Sequence, residues 1–397
     1  MRQTRRTPIR LAFPRPKKVA WHHISLAVAV IATGVASGTS YVQATGSLTV
    51  NTIWQHTPIA WTDITNSSGA SSISATTGAW LAWDPGDQYT LLMTPAGGLA
   101  GSYKFLANSF TLLAPSCSTC PPSGTTYAIG TDFQGGASSG YGAEIELYGG
   151  TTSDMCQFSV VNSANFAGSP DWICFTGNAF TLAAGAPMGA YAPWTFPAFS
   201  SITRGGDVFL DSGGAVWLYS PNVAPAAVSV TCSSTGGGTL CPAIGTGEAF
   251  AWDPVDGYDV LFDSNGNTWS YVTTGATKSG ATVVYHGVFT QLSPSSSPSA
   301  RTGASFAYYG ACGYDVLFGG EATVGGKILA DTWKFHAGSW TQLSPTERPT
   351  ARYGAAMDYD QADGELVLFG GTAYNGIGGT TATNSAFYLS PGVGGCP

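Results

Sequence analysis

Residues able to do chemistry fall into a few groups along the chain, and their spacing restricts what each can do. Three acidic turns, Asp84-Pro-Gly-Asp87, Asp253-Pro-Val-Asp256-Gly257 and Asp358-Tyr-Asp-Gln-Ala-Asp363-Gly364, could bind calcium or supply an acid/base pair for hydrolysis. Asp-Pro and Asp-Gly are also ordinary turn formers, and recurrence at one repeat position favours a structural role. Asp263-Ser-Asn-Gly-Asn-Thr-Trp269 and Asp211-Ser-Gly-Gly-Ala-Val-Trp217 share one form, a tight turn before an aromatic strand. Cys117-Ser-Thr-Cys120 lacks the second Cys pair or His pair that a zinc site needs. The chain shows no Ser-His-Asp set, P-loop or nucleotide fingerprint. Asn66-Ser67-Ser68 is its single glycosylation sequon.

Charge excludes one class of partner. Seven of the 15 basic residues precede position 19, and the chain after residue 45 carries 8 basic and 23 acidic side chains, a formal charge of −15. A body so acidic is unsuited to nucleic acid, whose recognition depends on Lys and Arg neutralising phosphates. The basic segment 1–23 precedes an uncharged apolar run, 24–42, read as a signal peptide or a transmembrane anchor. A small-residue pattern at Val42-Gln43-Ala44 suits cleavage. The expectation is an extracytoplasmic body, secreted or membrane-anchored through 24–42, with a linker over 43–57. All eight cysteines follow the apolar run, which suits an oxidising exterior. Cys156 and Cys174 flank one expected hairpin, Cys232 and Cys241 bracket a Gly-rich loop, and Cys117 and Cys120 share a loop, leaving Cys312 and Cys396.

The elements that must position these residues are repeats. GVFTQLSPSSSPSARTGASFAY from Gly287 recurs as GSWTQLSPTERPTARYGAAMDY from Gly338, and each copy continues to a β-rich run, GYDVLFGG or GELVLFGG. Weaker aromatic-Thr elements occur at Trp61, Phe110 and Phe180, with a degenerate copy at Val228; with Phe289 and Trp340 they make six, about 56 residues apart on average. The β-run also occurs six times, from Tyr89, Ile145, Asp207, Asp259, Asp315 and Glu365, and a third strand follows each. Each unit reads as a four-stranded meander whose sheet has two apolar faces, buried by stacking on its neighbours. The last repeat stops after its third strand near Ser390, while Trp61 precedes any complete repeat. An N-terminal strand completing the last sheet would close the ring.

With its Gly-Gly turn after a hydrophobic strand and an aromatic near the third strand, the chain resembles the kelch-repeat propellers over roughly residues 58–390. This resemblance implies an all-β fold, a propeller of six four-stranded blades with N-terminal strand closure and a short tail at 391–397. Some kelch propellers are copper-radical oxidases, but here only His56, His286 and His336 follow the apolar run, too few and misplaced for a copper centre. No cofactor is therefore expected. Blade geometry puts Cys312 and Cys396 on one face, where a disulfide would fasten the tail. On the opposite face the resemblance places Arg301 and Arg352, with Tyr353, beside the central opening. Two guanidinium groups there could hold a carboxylate or an acidic sugar, or instead brace loop carbonyls or pair with an acid. The expected function is a binding or scaffold module for a protein or glycan at the cell surface. The alternatives are a structural component of a surface assembly and a carbohydrate-active hydrolase or lyase.

Overall fold

A computed structural model describes residues 59–84, 88–95, 101–113, the strand segments between 116 and 234, 241–244, 247–279, 282–322, 326–392 and 395–396. The segments expected at 1–23, 24–42 and 43–57 lie outside the described residues, as does the aromatic-Thr element at Phe180. Among the described residues no helix is long and apolar enough to cross a membrane.

The described chain is all-β and arranged in several sheets, most of them antiparallel meanders. One four-stranded sheet runs through Trp80–Asp84, Tyr89–Met93, Ser102–Leu106 and Ser109–Leu112, another through Ser305–Tyr309, Tyr314–Phe318, Thr332–His336 and Ser339–Leu343. A five-stranded sheet contains Tyr127–Asp132, Glu144–Gly149, Asp154–Ser159 and Asp171–Phe175, with Ser116–Cys117 paired in parallel at its edge. The last meander, Ala356–Asp360, Glu365–Phe369 and Ala386–Ser390, takes its fourth strand from the far end of the sequence. Ala60–Asp63 pairs with it antiparallel, Trp61 opposite Leu389. The expected N-terminal strand pairing is thus present.

The apolar β-runs are continuous because both faces of each second strand are covered. In Glu365–Phe369, Leu366 and Leu368 pack towards the 305–343 sheet, while Val367 and Phe369 pack towards the 80–112 sheet. Leu261 and Val260 divide in the same way between two neighbouring cores. Each such side chain contributes roughly 1.5–3 kcal/mol by leaving water. The first strands of the meanders follow one another in a closed succession: Trp80–Asp84, Tyr127–Asp132, Gly189–Ala192, Ala249–Asp253, Ser305–Tyr309, Ala356–Asp360, and back to Trp80–Asp84.

A recurrent hydrogen bond ties the outer strands across sheets. Trp340 Nε1 donates to Thr268 Oγ1 at 2.8 Å, at the start of the preceding meander's third strand. Trp61 Nε1 does the same to Thr332 Oγ1 at 3.2 Å, so the N-terminal strand occupies the repeat's ordinary outer position.

One feature departs from separate four-stranded units. The meanders 189–234 and 249–292 form a single curled eight-stranded sheet, because Val223–Ser234 and Thr282–Leu292 pair in parallel from Val228 to Ser234. Both outer strands are unusually long, 12 and 11 residues, and so extend far enough to meet.

Candidate functional site

Among the described residues, the loop face is organised by a glycine two residues before each of four inner strands, those starting at Trp80, Ala249, Ser305 and Ala356. Gly303 N donates to Gly247 O (2.7 Å), Gly354 N to Gly303 O (2.8 Å) and Gly78 N to Gly354 O (3.2 Å), a backbone chain running from sheet to sheet. Gly247 has φ +84°, and a Cβ there would lie 2.9 Å from Gly303 N. Neither the left-handed conformation nor the close approach admits a side chain.

Arg301 and Arg352 stand two residues before these glycines, both only 2% exposed. All five Arg301 donors are used internally. Nε bonds Ser299 O, Nη1 bonds Gly319 O and Asp331 Oδ1, and Nη2 bonds Ser299 Oγ and Asp331 Oδ2. Burial pushes the Asp331 carboxyl up, yet bonds from Arg301 and Trp333 hold it below its ordinary value. Arg352 repeats the pattern on Thr350 O, Gly370 O and Thr350 Oγ1, but Ser385 Oγ stands where Asp331 stood. Burial lowers this guanidinium to about 10, opposed by the charge of Asp63, and its cation lies 4.9 Å from the Phe387 ring centroid. Of the roles the sequence left open, the structure places both arginines in the bracing one. They hold the Gly-Gly turns through Gly319 O and Gly370 O. Tyr353 is half-buried, its ring packed beside Gly303.

What this face does expose is the Thr372–Tyr374 and Thr380–Ala382 hairpin, paired to Arg352–Tyr353. Asn375 Oδ1 accepts from the amides of Ile377 and Gly379 and orders the apex. Ile377 is 90% exposed and Tyr374 53%.

The opposite face carries the acidic turns. Asp253 Oδ1 accepts from the Val255 and Asp256 amides, and Asp360 Oδ1 from those of Ala362 and Asp363. These carboxylates are turn caps. Asp263 likewise accepts from the Asn265 and Asn267 amides, Asn267 Nδ2 and Trp269 Nε1, building the tight turn before its aromatic strand. No group of three or more His, Cys, Asp or Glu among the described residues could hold a metal ion. His336 is exposed at the end of its strand, whereas His286 sits inside Thr282–Leu292 and bonds Thr277 Oγ1.

Several acids on this face are strongly perturbed. Asp358 is pushed up to about 7 by burial, against hydrogen bonds from the Tyr359 and Trp83 amides. Glu365 rises to about 7 through burial and the nearby Asp363 and Asp360 charges. Asp315 and Asp358 stand out only after the structure is known. The sequence signal for Asp358 was a charge where Ala307 stands in the preceding repeat, whereas Asp315 aligns with Asp207 and Asp259 and gives way to Leu366 only in the last repeat.

The cysteines follow the expected pairing where they are described. Cys312 and Cys396 form a disulfide with Cα atoms 5.4 Å apart, fastening the tail to the Tyr309–Tyr314 turn, and Cys232 pairs with Cys241. Cys156 and Cys174 are directly opposite on antiparallel strands. Cys117 ends the two-residue strand Ser116–Cys117, and Cys120 lies outside the described residues.

In comparisons with known proteins, no family profile and no characterised protein matches the chain.

Proposed function

We propose that the chain is an extracytoplasmic kelch-like propeller of six blades that serves as a binding or scaffold module for a protein or glycan at the cell surface. The closed succession of first strands and the N-terminal strand in the last sheet support the ring. Two disulfides suit an oxidising compartment. The observation that carries the binding role is the ordered hairpin apex. The chain's scarce buried cations are spent on internal bonds, whereas Tyr374 and Ile377 are held out to solvent by a braced turn.

The test is a screen of the full chain against glycans and cell-surface proteins, beside a Tyr374→Ser/Ile377→Ser variant. Specific binding lost in the variant supports the reading. Binding to nothing, with ordered self-association in the same sample, favours a structural component of a surface assembly. A carbohydrate-active hydrolase has one observation in its favour: Asp358 and Glu365 both titrate near 7, where a general acid is useful. Glycan turnover abolished by Asp358→Asn in a folded protein would establish that activity instead.

A further inference from the structure

The exposed hairpin belongs to a three-stranded sheet, and the register of that sheet decides which side chains share a face. Opposed residues of antiparallel strands point the same way, and residues alternate along each strand. Tyr353 is opposite Thr372, Thr372 opposite Ala382, and Tyr374 opposite Thr380. These five therefore line one face, whereas Arg352, Ala373 and Thr381 line the other. The first face is buried at its base, where Thr372 is 8% exposed and its hydroxyl bonds that of Thr77. It opens outwards to Tyr374 and Thr380, both exposed.

Tyr374 is not a loose side chain. Its hydroxyl accepts from the Ile328 amide at 3.2 Å, which pins the far end of the ring to the loop of the neighbouring sheet. The residue nevertheless stays 53% exposed. Asn375 fixes the turn that follows, and a Cβ on Gly379 would come within 2.9 Å of Asn375 Nδ2. An aromatic ring already held in place loses little freedom when a ligand stacks on it.

Charge and size define the ligand class. Residues 372–384 contain no Asp, Glu, Lys, Arg or His, in a chain of formal charge −8. The loop that anchors Tyr374 adds one charge of each sign, Glu321 and Lys327. An ionic ligand finds no complementary cluster here. A protein partner is also poorly matched, because its interface needs roughly 800 Å² a side around a cluster of apolar anchors. The hairpin exposes two large apolar side chains, Tyr374 and Ile377. A sugar ring suits what is present, since its C–H face can lie on an aromatic ring while its hydroxyls reach a threonine.

Given the binding role proposed above, we propose that this face holds a neutral glycan, with one sugar ring stacked on Tyr374, Thr380 bonding its hydroxyls and Tyr353 bordering the stack at its base. The experiment measures calorimetric binding of neutral gluco-, manno- and xylo-oligosaccharides to the full chain, with polygalacturonate as the acidic control. A neutral oligosaccharide should bind with an affinity that stays constant from low salt to about 1 M, because no charge pair is there to be screened. Tyr374→Ala should weaken it about tenfold or more. Tyr374→Phe keeps the ring, gives up only the Ile328 contact and should lose only about threefold. An unweakened Tyr374→Ala, or equal losses in the two variants, overturns the stacking. Polygalacturonate or a cell-surface protein bound in place of any neutral sugar overturns the glycan assignment and leaves the binding role standing. A chain that binds none of these probes loses both.

Discussion

Removing the Trp61 side chain should damage the protein as badly as removing one from the middle of the sheet array. Trp61 is 1% exposed, lies 5.4 Å from the Phe318 ring and donates to Thr332 Oγ1. Truncating a buried Trp to Ala costs about 3–5 kcal/mol. Trp61→Phe keeps most of the ring but strands the Thr332 hydroxyl, itself 1% exposed, at about 1–2 kcal/mol. Combining Trp61→Phe with Thr332→Val should recover part of that, a coupling of about 0.5–1.5 kcal/mol in a double-mutant cycle. Trp340→Ala, at the equivalent outer position of the neighbouring 305–343 sheet, is the internal standard. Urea midpoints at constant m-value measure these variants together with the Thr332→Val single variant that closes the cycle. A loss below about 1 kcal/mol for Trp61→Ala, beside several for Trp340→Ala, refutes the claim that the N-terminal strand is an integral part of the array.

Three further outcomes follow from the same contacts. Arg301→Ala leaves Asp331 and the Gly319 carbonyl without their main partner and should cost about 3–5 kcal/mol by urea unfolding, with any ligand affinity of the folded variant unchanged. Cys312→Ser opens a disulfide spanning 84 residues and should lower stability by about 2–4 kcal/mol, leaving the Cys232–Cys241 bond intact by mass mapping. Asp358 is raised to about 7, so its contribution is complete below the ordinary carboxylate range and lost as pH rises through 7. Asp358→Asn should therefore flatten thermal stability over that interval, and an unchanged slope would show that burial does not control this group.

Much of this architecture is written in residue spacing. The aromatic-Thr elements at Trp61 and Trp340 have the same neighbours in space because each places an indole N–H opposite a threonine that begins a third strand. The Cys312–Cys396 bond was legible because the repeat sets both residues on one face. The merged eight-stranded sheet was not, since it depends on how far Val223–Ser234 and Thr282–Leu292 extend, and no turn residue marks that length. Arginine roles were only half legible. The sequence shows a cation two residues before Gly303 and Gly354, but not that Ser299, Gly319 and Asp331 converge on one guanidinium.

Amide hydrogen exchange across Ala60–Asp63 and Ala386–Ser390 in the full chain tests the closed array most directly. The account predicts that the two strands exchange together and only through global unfolding, with protection equal to that of Tyr314–Phe318. Rapid exchange of Ala60–Asp63 while Ala386–Ser390 stays protected would contradict it.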